Sequence, residues 1–197
     1  MRMFVALVPP PESLEDLAGF LGPRQEAGTD LRWTVAEQWH VTLAFLADVA
    51  ERHLDDLGER LTRAAARRTC FEARVHGAGA FPNPAHAKVL YLGVDAGADQ
   101  EELRRLATGA RAAASKAGAE PDGGRFRAHL TLARTRHPLQ ATRWIRVLDA
   151  YQGPTWQATE IALIESHLGE GPRKRPRYEV LETFPLRTAI VGDTKRG

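Results

Sequence analysis

The chain has a single cysteine, Cys70, among its 197 residues. No internal disulfide can form, and a cysteine-ligated zinc site is excluded. Net charge is also scarce: 27 Lys and Arg stand against 25 Asp and Glu, leaving +2. A general nucleic-acid binder carries a more basic balance. Any nucleic acid partner is therefore expected to be gripped locally, at one site. Long hydrophobic runs are missing as well. The apolar stretch Phe4-Val5-Ala6-Leu7-Val8 stops at Pro9-Pro10-Pro11, too short for a signal peptide's apolar core plus cleavage site and far short of a membrane span. It reads as a first strand. These absences predict a reduced, cytoplasmic setting with no membrane association.

What is present is a tetrapeptide that occurs twice, His40-Val41-Thr42-Leu43 and His129-Leu130-Thr131-Leu132, each followed by alanine. In a strand, residues i and i+2 project from one face. Each copy thus sets an imidazole beside a hydroxyl, with Val41 and Leu43, or Leu130 and Leu132, on the opposite face. Strict alternation turns Arg134 away from His129, unless the strand twists or ends.

The surrounding chain reads as alternating helices and strands. A helix opens at Pro11 and carries Leu14, Leu17, Ala18 and Leu21 at helical spacing, with Gly22-Pro23 as its stop. Leu31 to Val35 is a short strand, and the first motif strand runs from about Trp39 to Leu46. Asp48 is the expected cap of a helix bearing Leu54, Leu57, Leu61 and Ala65. Phe71–Val75 and Val89–Val94 predict a hairpin, with the pattern weakening at Gly77–Phe81 and turning at Pro82-Asn83-Pro84. A helix spans about Asp99 to Ala117, and the second motif strand runs from Phe126 to Thr135. Pro138 is expected to start a helix with Trp144, Val147 and Leu148 inward. Trp156–Ser166 and Tyr178–Leu186 are two more strands, joined by the basic loop Gly171–Arg177, and the tail after Thr188 is polar enough to fray. The predicted class is α+β: a single bilobal domain over 1–197, built of two pseudo-symmetric halves. Their antiparallel sheets face a central cleft, with helices outside.

Two histidines and two threonines in one pocket suit phosphate ester chemistry. An imidazole near its ordinary pKa of about 6.5 can give or take a proton. Two of them on opposite sides of a phosphorus can serve as acid and base, while hydroxyls donate to oxygens that gain charge. No cofactor or metal is called for, since the pair lacks the third histidine or carboxylate of a usual zinc site.

These motifs and their surroundings resemble the two-histidine (2H) phosphoesterase superfamily, and within it the bacterial RNA 2′,3′-cyclic phosphodiesterases, also called 2′-5′ RNA ligases. The resemblance runs through Arg2–Leu7, Arg32-Trp33, Trp39–Leu46, Gly79–Asn83, Val89–Val94, Phe126–Arg134, Glu165–Leu168 and Tyr178–Leu181. Where the family usually has Phe-Leu-Gly after the first motif, this chain has Ala47. The resemblance implies a bilobal fold with a central cleft and hydrolysis of a 2′,3′-cyclic phosphate to a 2′-phosphate. It implies His40 as general acid, His129 as general base, Thr42 and Thr131 holding the phosphate, and Arg134 touching it. The roles of the histidines exchange if the substrate lies in reverse.

Phe45 is a candidate to stack on a base, with core packing as its alternative. Trp33 and Trp39 read as core, and His53, His76, His86 and His137 as surface or loop residues. His167 is a weaker substrate-binding candidate, and the run Arg173–Arg177 is either a solvated loop or an RNA backbone contact. The partner implied is an RNA with a 2′,3′-cyclic phosphate end, met by a monomer. Three other readings stay open: 2′-5′ ligation by the reverse chemistry, hydrolysis of small cyclic nucleotides, and an RNA-end binding module without turnover.

Overall fold

The computed structural model describes residues 1–188; the expected fraying of the tail concerns residues outside these. Two antiparallel sheets form its frame. The first is ordered β3-β1-β8-β9, from β1 (Met3–Leu7), β3 (Val41–Leu46), β8 (Glu160–His167) and β9 (Arg177–Pro185). The second is ordered β2-β6-β5-β4-β7, from β2 (Arg32–Trp33), β4 (Phe71–Phe81), β5 (Ala87–Asp95), β6 (His129–Leu139) and β7 (Trp156–Ala158).

β1 is buried along its whole length because it is a central strand covered on both faces. Met3, Val5 and Leu7 enter the main core, while Phe4 and Ala6 join Ala162 and Ile164 in a small apolar cluster on the other face. That double burial is why the run reads as continuously apolar and not alternating. The helices α2 (Leu54–Ala66) and α3 (Gln100–Lys116) pack against β9 and β3 respectively, and α4 (Thr142–Leu148) against β4. α2 and α3 bury Leu57, Leu61, Leu103 and Leu106, the apolar stripes read from spacing.

The lobes differ from a simple division of the chain into halves. The first sheet takes two strands from each end of the sequence, and the second takes β2 and the middle. Trp156–Ser166 is accordingly two strands rather than one. The chain leaves the second sheet at Ala158 and enters the first at Glu160, with the Thr159 carbonyl accepting from the Leu186 N–H at 2.8 Å.

Other boundaries move for local reasons. α1 (Pro11–Ala27) passes through Gly22-Pro23. Pro23 removes one N–H, whose acceptor would be the carbonyl of Gly19, and Gly19 is exposed, so water can satisfy it. The Arg24 guanidinium then donates to the Phe20 carbonyl at 2.6 Å, and the helix closes at Gly28. Asp48 caps no helix. Its carboxylate accepts from the Met1 ammonium at 3.2 Å, and a 3₁₀ turn, Glu51–His53, leads into α2. β4 continues through the glycine-rich stretch by a bulge between Val75 and Ala78, where Gly77 adopts a φ of +87°. Pro138 lies inside β6, which ends at Leu139 opposite Ala87. α4 starts later, at Thr142, so Leu148 is buried, Trp144 half-buried and Val147 exposed. Among the described residues no helix is long and apolar enough to cross a membrane.

Leu90, fully buried in the middle of β5, tests this core. Leu90→Ala is expected to lower the unfolding free energy by about 2–5 kcal/mol, read from the midpoint of urea denaturation.

Candidate active site

Both motif strands carry the same irregularity. In the β1–β3 ladder Val5 pairs with Ala44 and Ala6 with Thr42, so Leu43 has no residue opposite. In the β5–β6 ladder Leu90 pairs with Ala133 and Tyr91 with Thr131, so Leu132 is the extra residue. Each pair of residues, Leu43-Ala44 and Leu132-Ala133, is buried. An inserted residue slips the period of two by one, and residues i, i+2 and i+5 then share a face. His40, Thr42 and Phe45 come together on one strand, and His129, Thr131 and Arg134 on the other. All six line one cleft of about 540 Å³. Strict alternation turned Arg134 away; the bulge turns it in. Phe45 reaches the cleft for the same reason.

The two histidines are anchored alike. The Nδ1 of His40 lies 2.7 Å from the Gln38 carbonyl oxygen, and the Nδ1 of His129 lies 2.7 Å from that of Arg127. A carbonyl only accepts, so Nδ1 carries a proton in both rings. Nε2 is left as the nitrogen available to a ligand, whatever the charge of the ring.

Aromatic side chains fix the rings further. Phe4 stacks on His40 with centroids 4.3 Å apart, and Tyr178 meets its edge at 5.4 Å. Around His129, Phe81 and Tyr91 stand edge-on at 5.0 and 5.4 Å. Tyr91 accepts from Arg127 at 3.1 Å, and its phenol crosses the backbone of Gly79, where a Cβ would collide with the hydroxyl. Only glycine leaves that space.

This apolar packing governs protonation. Burial pushes the His40 imidazole down to about 4, against its bond to the Gln38 carbonyl and helped by the nearby His129. Burial lowers His129 too, opposed by the bond to Arg127 and reinforced by the Arg134 and Arg127 cations. Tyr178 is raised, mainly by burial, while Arg2 and Arg134 pull the other way.

Among the described residues four arginines line the cleft, Arg2, Arg32, Arg134 and Arg175, and no carboxylate does. The Arg2 guanidinium lies over the Phe45 ring at 4.5 Å. The basic loop divides. Arg175 and Pro176 line the cleft, with the Pro176 carbonyl accepting from Gln38 at 2.7 Å. Arg173 and Lys174 are exposed, and Arg177 pairs with Glu170 and Glu179 at 3.0 Å.

Other candidates lie elsewhere. His167 is outside the cleft, 3.2 Å from Glu179 and 3.6 Å from Glu165, while its neighbour Ser166 faces in. Trp39 is core, but Trp33, read as core, lines the cleft, donates to the Gly28 carbonyl at 2.9 Å and packs edge-on against Trp144. His53, His76, His86 and His137 are not in the cleft. The sequence reading missed Arg2, Phe4, Gln38 and Tyr178. No local pattern pointed to the first two, because the run after Arg2 is continuously apolar; Tyr178 arrives through β9, whose pairing no local pattern specifies.

The family described as the 2′-5′ RNA ligase superfamily matches residues 10–170 of the chain. The RNA 2′,3′-cyclic phosphodiesterase of Thermus thermophilus is 35% identical over an alignment of 202 positions, covering 95% of this chain and 91% of that protein. Among solved structures, TT0787 of Thermus thermophilus superposes with a TM-score of 0.73 at 30% identity, covering 95% of this chain and 99% of that one. LigT of E. coli complexed with 3′-AMP superposes with a TM-score of 0.73 at 25% identity, covering 94% and 97%.

The lowered histidines make stability depend on pH. Below about 6.5 the unfolded chain binds more protons than the folded one, so stability is full above that pH and falls as pH drops towards 4. His40→Ala is expected to shrink the loss of unfolding free energy between pH 7 and pH 4.5, measured by urea denaturation at both.

Proposed function

Because the chain belongs to the 2′-5′ RNA ligase superfamily, we propose that it hydrolyses the 2′,3′-cyclic phosphate at an RNA end to a 2′-phosphate, with His40 and His129 as its acid–base pair. The observation that carries this reading is the matched anchoring of two imidazoles in one cleft, each with Nε2 available and each two residues from a threonine. The likeness to proteins named RNA 2′,3′-cyclic phosphodiesterase supports the substrate class.

In this mechanism neutral His129 takes a proton from water at Nε2 as the water oxygen bonds to phosphorus. The bond from phosphorus to the ribose 3′ oxygen breaks, and protonated His40 gives its Nε2 proton to that oxygen. The phosphate stays on the 2′ oxygen, and the pair resets by exchanging protons with solvent. Thr42 and Thr131 donate to the non-bridging oxygens, and Arg134 offsets their charge. Phe45, backed by Arg2, offers a face for the terminal base. No step calls for a metal. The cleft residues named above all come from one chain, and the proposed working unit is a monomer, a single bilobal domain.

A short RNA ending in a 2′,3′-cyclic phosphate, incubated in EDTA, should yield clean 2′-phosphate. His40→Ala and His129→Ala should each lower kcat by about 10²–10⁴-fold. A 3′-phosphate product would reverse the substrate's orientation, joining of a 5′-hydroxyl RNA would establish ligation, and bound RNA without turnover would refute catalysis.

The pH profiles offer a second test. The free enzyme must carry one imidazolium and one neutral imidazole, and both imidazoles are lowered, so the maximum of kcat/KM is expected below pH 6.5. A bound phosphate anion favours imidazolium, so the maximum of kcat should lie at higher pH. Coincident maxima at or above pH 7 would contradict the burial of the pair.

A further inference from the structure

A cyclic phosphodiester carries one negative charge, yet among the described residues four guanidinium groups converge on this cleft and no carboxylate lines it. Four arginines of α2 and α3 contrast with them: Arg60 pairs with Asp56, Arg63 with Glu59, and Arg104 and Arg105 with Glu101. Those have a carboxylate in contact, whereas among the described residues no carboxylate pairs with a cleft arginine. Unbalanced cations in a cleft mark where an anion sits when the site is filled.

The four are not equivalent. Arg134 shares the face of His129 and Thr131, and Arg2 is spent on the Phe45 ring. Arg32 lies one strand further out, on β2, the edge of the second sheet, directly opposite Arg134 in the ladder. Residues paired across antiparallel strands project from the same face, and two like charges so placed repel. Arg175 enters from the loop before β9, held near the first motif by the bond from Gln38 to Pro176. Neither Arg32 nor Arg175 belongs to the motif strands.

We infer that Arg32 and Arg175 form a second phosphate subsite, which takes the phosphate on the 5′ side of the terminal nucleoside. This rests on the proposed phosphodiesterase reading and deepens it. The preferred substrate has at least two phosphates, one cyclic and one a nucleotide step upstream, so an oligonucleotide end is favoured over a nucleoside 2′,3′-cyclic monophosphate. The chemistry is shared by two sources, an internal phosphodiester and a terminal 5′-phosphate.

The test compares kcat/KM of the full-length protein on four substrates at low salt. These are a nucleoside 2′,3′-cyclic phosphate, the same with a 5′-phosphate, a dinucleotide with a cyclic end, and that dinucleotide with an uncharged methylphosphonate linkage. The charged dinucleotide should exceed the mononucleoside by about tenfold or more, the scale of one charge-assisted contact. The methylphosphonate should lose that advantage, and raising salt should erode it. Arg32→Ala and Arg175→Ala should each bring the dinucleotide-to-mononucleoside ratio down about tenfold, with Lys at either position restoring part of it. A 5′-phosphorylated mononucleoside as good as the dinucleotide would assign the subsite to any 5′ phosphate; one no better than the plain mononucleoside would assign it to the diester. Equal rates on the charged and uncharged dinucleotides, or ratios unmoved by both substitutions, would overturn the subsite while leaving the phosphodiesterase reading intact. No turnover of any of the four would instead remove the reading on which it rests.

Discussion

The bonds from His40 Nδ1 to the Gln38 carbonyl and from His129 Nδ1 to the Arg127 carbonyl set the terms for everything else in the cleft. Because the acceptor is backbone two residues earlier in the same chain, each ring is tied to its own strand entry and cannot turn over without breaking that hydrogen bond. The proton is thereby fixed on one nitrogen and the other is offered to the ligand. Phe4 and Tyr178 on one side, and Phe81 and Tyr91 on the other, hold the rings by packing. The same packing removes water, which is why neither ring favours its charged form before an anion arrives.

The second constraint is the bulge shared by the two motif strands. A strand without it would present His40 and Thr42 but bury Phe45, and would present His129 and Thr131 but send Arg134 to the far side. One extra residue in each ladder gives each motif a third cleft-facing member. The third members differ, an aromatic ring on one lobe and a cation on the other. Two motif strands with the same bulge thus produce an asymmetric site, with a surface suited to a base opposite one suited to phosphate. The lobes themselves are interwoven, since β8 and β9 return to the sheet that β1 and β3 began. The cleft therefore joins segments more than a hundred residues apart.

Charge follows the same division. On α2 and α3, Arg60, Arg63, Arg104 and Arg105 meet acidic partners three or four residues away on the same helix, pairs that stabilise a solvated surface by little. The cleft arginines come from four separate segments of the chain and, among the described residues, have no such local partners. A net charge of only +2 therefore conceals a concentrated positive site.

The sequence by itself determined the partnership within each motif, because side chains two apart on a strand share a face however the strand is used. It likewise determined the apolar stripes of α2 and α3, the β4–β5 hairpin and β1 as a first strand, all consequences of local period and composition. The tertiary structure decided what depends on neighbours. Pro23 stayed in a helix because its unbonded carbonyl partner meets water. The stretch around Thr159 broke because its two parts belong to different sheets. Arg134 and Phe45 turned inward because the ladders to β5 and β1 skip one residue, and a skip is a property of two paired strands, not of either alone. Arg2, Arg32, Arg175 and Tyr178 joined the site through pairings between distant segments, which leave no period in the chain to read.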